Sequence, residues 1–189
     1  MGYSAGANLA AAYALLAGRG GGEQLLTGLV LHYPCLDVAE RFDAGAVRAC
    51  DLPVDKMGAF SQMYAGRRDV ADPLMSPLRA TDAELAALPR TVLCPVVGDV
   101  LMGQAERLHR RMEGLDVPVA WRPVEGVYHG YIEDAADMET FRAISMPETV
   151  ASRPDRFQRA AADCVRSSLE VLVGPVCREV PFPGLEEGE

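Results

Sequence analysis

The sequence predicts an α/β fold built on a parallel sheet. Apolar runs of strand length are separated by helical stretches, and 49% of the residues are hydrophobic against 24% charged. The run from Leu25 to Tyr33 shows no polar alternation, which suits a strand covered by helices on both faces. A length of 189 residues is that of one ordinary domain.

The elements follow in order. Ala5 to Ala17 is rich in Ala and Leu and predicts a helix, ended by the glycines from Gly18 to Gly22. Leu25 to Tyr33 predicts the first strand, closed by Pro34. A helix is expected from Val54 to Tyr64, then a proline-punctuated loop from Asp72 to Leu78. Thr81 can cap a short helix from Asp82 to Leu88, with Pro89 just beyond it. Thr91 to Val97 predicts the second strand, although Pro95 withholds an N–H from any ladder. An amphipathic helix spans Gln104 to Gly114, a third strand Val117 to Val124, and a loop Glu125 to Gly130. The last helix is expected over Asp155 to Val173. Alternation of this kind defines α/β architecture with parallel strands.

Composition narrows the function. The net charge is −9, and no Lys/Arg cluster offers a stripe for phosphates, so no nucleic-acid partner is expected. Part of the acidity lies in the closing Leu185–Glu189 stretch, read as a solvated terminus. Residues 1–175 are therefore assigned to one catalytic domain and 176–189 to an acidic irregular tail. The cysteines Cys35, Cys50, Cys94, Cys164 and Cys177 are odd in number and form no CxxC pair. They fit a reducing, cytoplasmic setting, with Cys94 buried in its apolar run. No apolar run reaches membrane-spanning length. The histidines His32, His109 and His129 and the cysteines lack metal-ligand spacing, so no metal and no cofactor is expected.

Gly2-Tyr3-Ser4-Ala5-Gly6 reads G-x-S-x-G. In that motif a sharp strand-to-helix turn presents the serine Oγ, and the flanking glycines allow close backbone approach. The following helix aims its positive N-terminal end at the site, and the Ala5 N–H can donate to an oxyanion. Asp99 follows the second predicted strand and His129 the third. Both thus fall at carboxyl ends of parallel strands, where open α/β sheets place their sites. The chain order Ser, Asp, His matches one known triad order.

With these residues in view, the sequence resembles the hormone-sensitive-lipase-like esterases of the α/β-hydrolase fold. The resemblance runs from about Gly2 to Tyr131. Gly2 to Ala10 is similar to that family's GDSAGGNLA elbow, and Tyr33-Pro34-Cys35-Leu36-Asp37 to its YPxLD turn. Asp72 to Leu78 resembles its DP…SPL stretch, Thr91 to Leu101 its acid-bearing strand end, and Gly114 to Tyr131 its histidine segment. Tyr3, Ala7, Val100, Gly103 and Gln104 depart from the usual Asp, Gly, Pro, Asp and Glu.

The resemblance implies a serine hydrolase for small carboxylic esters, with Ser4 as nucleophile, His129 as base and acid, and Asp99 as orienting carboxylate. It also implies that this chain is the C-terminal part of the fold, with the N-terminal strands and the HGGG oxyanion loop lying before Ser4. The strand entering the serine turn is expected to be absent. That would leave three strands, an exposed Leu25–Tyr33 edge open to self-association, and weak or no activity. The alternative is a non-catalytic remnant that binds a ligand or a partner chain. His32 is read as a core or strand-end histidine and His109 as solvated. Met57, Phe60, Met63 and Tyr64 have the helical spacing of core residues, or of a lid over the acyl pocket as the resemblance suggests.

Overall fold

The computed structural model describes residues 1–20, 26–42, 52, 54–136 and 154–174. Leu25, Cys50, Cys177 and the tail from 176 to 189 lie outside the described residues. Among the described residues the sheet has four strands, all parallel, in the order β1 (Gly2–Tyr3), β2 (Leu29–His32), β3 (Thr91–Cys94), β4 (Val119–Trp121). One row crosses it, Gly2 beside Leu31 beside Leu93 beside Trp121.

β1 corrects the expectation of three strands. Gly2 and Tyr3 are enough to form the final step of the strand that enters the serine turn, because they meet Leu31 and His32 in register. β1 therefore covers the β2 edge at those residues, and among the described residues it is the outermost strand on that side.

β2, β3 and β4 are shorter than the apolar runs that predict them. β3 stops at Cys94 because Pro95 has no N–H to give the ladder. Pairing resumes only as an isolated bridge between Val96 and Val124, with Val124 N–H donating to the Pro95 carbonyl at 2.8 Å. β2 ends at His32 because Tyr33 turns into the left-handed region, φ +33°.

Helices cover both faces. α1 (Ser4–Arg19), α3 (Asp82–Ala86) and α4 (Met102–Gly114) lie on one side, against Leu29, Leu31, Leu93 and Val119. α5 (Tyr131–Ala136) and α6 (Pro154–Val173) lie on the other, against Val30, Val92, Cys94 and Ala120. Alternate residues of each strand enter opposite cores, which is why the runs are apolar throughout. Thr81 caps α3 as expected, and Glu84 completes a capping box by accepting from the Thr81 N–H. α1 runs through Gly18 to Arg19, past the expected stop.

α2 (Val54–Ala65) overturns the core reading of its apolar residues, since Phe60, Met63 and Tyr64 are exposed. His109 is not freely solvated either. Its ring lies 5.0 Å from the Trp121 ring, and Nδ1 is 3.5 Å from Glu113.

His32 is fully buried, as a strand-end core residue should be. Its Nε2 lies 3.2 Å from Ser168 Oγ on α6, and the Tyr3 and Tyr33 rings pack beside it. Burial pushes its pKa down to about 4, helped by the nearby N-terminal amine. Above pH ~6.5 the ring is neutral in both folded and unfolded chains. Between ~6.5 and about 4 only the unfolded chain takes up the proton, so stability falls with pH by about 3 kcal/mol. Urea unfolding from pH 7 to pH 4 should show this slope, and His32→Gln should flatten it.

Candidate active site

The turn between β1 and α1 places the first functional side chain. Ser4 is the first residue of α1 yet has φ +48°, a strained conformation for a residue other than glycine. It is reached from an extended Tyr3, φ −122° and ψ 137°. Gly2 makes the turn possible: a Cβ there would lie 2.3 Å from the Gly6 carbonyl oxygen and 2.7 Å from Ala7 Cα. Gly6 is different. A Cβ on it meets nothing within 4 Å, so the steric reason expected for both glycines applies here to Gly2 alone.

The other two residues arrive from neighbouring strand ends. Ser4 Oγ is 2.7 Å from His129 Nε2, and His129 Nδ1 is 2.7 Å from Asp99 Oδ2. The histidine and aspartate side chains are 6% and 1% exposed, so water hardly competes for this contact. Asp99 Oδ1 also accepts from the Leu101 N–H at 3.2 Å, which orients the carboxylate. Gly130, at φ +87°, turns the chain from His129 into α5. All three residues singled out from the sequence thus meet, across 125 positions between Ser4 and His129.

Ala5 stands in the first turn of α1, whose leading N–H groups have no partners within the helix. No acidic side chain occupies that turn, so the positive end of the helix dipole is left uncancelled beside Ser4. Cys35 lies close by, with its N–H donating to the Ser4 carbonyl at 3.4 Å. Burial and the nearby Asp37 and Glu40 carboxylates push its thiol up to about 11. It stays protonated at neutral pH, which makes it a poor nucleophile. Among the described residues, no group of three His, Cys, Asp or Glu side chains could hold a metal ion.

Three supporting residues went unrecognised in the sequence. Asn8, buried on α1, donates to the carbonyls of Cys35 and Met75, both at 2.9 Å, and accepts from the Tyr64 hydroxyl. Gln104, buried on α4, accepts from the Leu36 and Asp37 N–H groups at 2.6 and 3.0 Å. It also donates to the Asp37 carbonyl and to Glu40. Tyr33 lies under the His129 ring, with centroids 5.0 Å apart. The available signal was a lone polar residue on an otherwise apolar helix face, as at Asn8.

Comparison with known proteins bears on this arrangement. The profile of the alpha/beta hydrolase fold family matches residues 1–133, most of the chain. The chain belongs to the α/β-hydrolase fold family. Human hormone-sensitive lipase is 37% identical over 67 residues, which is 35% of this chain and 6% of that protein. Among solved structures, carboxyl esterase 2 of the fungus Tuber melanosporum superposes with a TM-score of 0.64 at 25% identity. That match covers 84% of this chain and 52% of the esterase. EstE1, a thermostable carboxylesterase from a metagenomic library, gives 0.65 at 27% identity, covering 89% and 53%. The likeness to hormone-sensitive-lipase-like esterases therefore holds, and this α/β-hydrolase spans about half the length of the solved esterases it matches. No helix among its described residues is long and apolar enough to cross a membrane.

The two glycines of the turn should respond oppositely to alanine. Gly2→Ala forces backbone apart and should cost about 3 kcal/mol or more. Gly6→Ala should raise stability by about 0.5–1 kcal/mol, because alanine gives up less backbone entropy in a helix. Thermal unfolding of the two variants checks both signs.

Proposed function

We propose that this α/β-hydrolase carries the reacting centre of a carboxylic ester hydrolase that works through an acyl-enzyme. The observation that supports the reading is the continuous relay of two 2.7 Å contacts, Ser4 to His129 to Asp99, ending on a serine held at φ +48°. In this reading Ser4 Oγ attacks the ester carbonyl carbon while His129 Nε2 takes its proton. Asp99 holds the Nδ1–H and stabilises the imidazolium that forms. The carbonyl oxygen becomes an oxyanion facing the Ala5 N–H. The C–O bond to the alcohol breaks, and His129 returns the proton to the departing oxygen. Water then repeats the sequence on the acyl-enzyme, releasing the acid and restoring Ser4.

Turnover by the 189-residue chain is proposed to be slow. α1 supplies the Ala5 donor, and each oxyanion donor is worth about 10²–10³ in kcat. Labelling is the sharper test, because it needs one event per molecule. A fluorophosphonate probe should modify Ser4 in the parent and leave Ser4→Ala unlabelled. Asp99→Asn should slow labelling by about 10⁴, since the imidazole loses its orienting acceptor. Undiminished labelling of Ser4→Ala would refute the assignment, and an unlabelled but folded parent would favour a non-catalytic binding role.

A further inference from the structure

Two hydrogen bonds hold the His129 ring, one at each nitrogen. They hold the two ends of the imidazole, and the motion that would loosen both is rotation of the ring about its Cβ–Cγ bond. That rotation swings the Nε2 lone pair away from Oγ, and proton transfer needs that alignment. Some contact against the ring has to stop it.

Tyr33 is placed to do so. It is the residue after β2, and the pairing of Tyr3 with His32 brings it level with Ser4. Its backbone N–H donates to the Cys94 carbonyl at 2.9 Å, and its side chain is 1% exposed. Its ring meets the His129 ring at 64°, with centroids 5.0 Å apart. Tyr131 packs on it in turn, centroids 5.5 Å apart. The Tyr33 hydroxyl donates to the Glu133 carboxylate in the first turn of α5, the helix that begins just after His129 and Gly130. This bond links the end of β2 to the start of α5 and closes a bracket around the histidine.

The backbone gives the second observation. Tyr33 has φ +33°, an outlier for a bulky side chain that costs about 1–3 kcal/mol. The strain turns the ring out of the strand's own side-chain rows and toward His129.

We propose that Tyr33, locked by its hydroxyl to Glu133, is a positioning residue that sets the ring plane of His129. The inference rests on the triad reading given above. Tyr33→Phe keeps the ring and loses the lock, and Glu133→Ala removes the acceptor from an exposed position. Each should slow fluorophosphonate labelling of Ser4 about tenfold. The double variant should be no slower than either single one, because both break one bond. Glu133→Gln, which keeps an acceptor oxygen, should restore most of the rate. In proton NMR of the same chain, the Nδ1 proton between His129 and Asp99 should broaden in Tyr33→Phe and Glu133→Ala, and stay sharp in Glu133→Gln. A role confined to packing would change the melting temperature and leave this signal alone. Parent-like labelling in both single variants, or additive losses in the double, would overturn the lock while Ser4→Ala still abolished labelling. Labelling that survives Ser4→Ala would instead overturn the triad, and this inference with it.

Discussion

The parallel pairing of β2 with β3 and of β3 with β4 is the constraint on which the site depends. Parallel strands bring all their carboxyl ends to one edge. The shared row through Gly2, Leu31, Leu93 and Trp121 fixes how far each chain has run when it leaves the sheet. Ser4 emerges one residue after its last pair. Asp99 and His129 emerge after the Val96–Val124 bridge, the final contact between their strands. A slip of one residue in any pair would turn core side chains toward the opposite face and displace Ser4, Asp99 or His129 by about 3.3 Å. The contact of 2.7 Å between Ser4 and His129 tolerates no such slip.

Two neighbouring residues take left-handed backbone at that edge, Ser4 at φ +48° and Tyr33 at φ +33°. They are side by side because Tyr3 pairs with His32. Each strained residue is held by structure that would be lost if it relaxed. Ser4 leads into a helix of 16 residues whose buried face includes Ala7, Ala11 and Leu15. Tyr33 leads into a turn that Asn8 and Gln104 grip through its carbonyls and N–H groups. Strain of a few kcal/mol persists only where the surroundings over-determine the conformation, and these contacts supply that. Asp37 closes the turn with its ion pair to Arg79, 3.0 Å from Nε to Oδ1.

Much of this was legible in the sequence, and the reasons for the rest are specific. The strand runs could be read because burial on both faces demands continuous apolarity, as at Leu29–His32 and Thr91–Cys94. Asp99 and His129 could be picked out because each follows such a run, and Ser4 because it sits in the G-x-S-x-G motif. Strand ends were overestimated where backbone geometry, rather than hydropathy, stops pairing: Pro95 lacks a donor and Tyr33 adopts positive φ. β1 was missed because two residues are too few to show a pattern, and only the register with β2 makes them a strand. Phe60, Met63 and Tyr64 were misread because helical spacing reports a common face without saying what covers it. Asn8, Gln104 and Tyr33 were silent because their partners are backbone groups or rings far away in the chain.

Gln104 shows how a departure from the esterase pattern can be matched elsewhere. The family resemblance puts Glu at this position. A carboxylate could accept from Leu36 and Asp37, as the Gln104 oxygen does. It could not donate to the Asp37 carbonyl at 3.1 Å, and it would face the Glu40 carboxylate now 2.9 Å from Nε2. Two like charges at that separation, half sheltered from water, repel strongly. The amide satisfies the Asp37 carbonyl and gives Glu40 a second donor, and a Glu could do neither. Arg107 then neutralises the same Glu40 from the next turn of α4. The turn after Tyr33 is therefore held by a neutral hub with its charge balanced one step outward. The turn's Cys35 N–H donates to the Ser4 carbonyl, so that hub also steadies the serine.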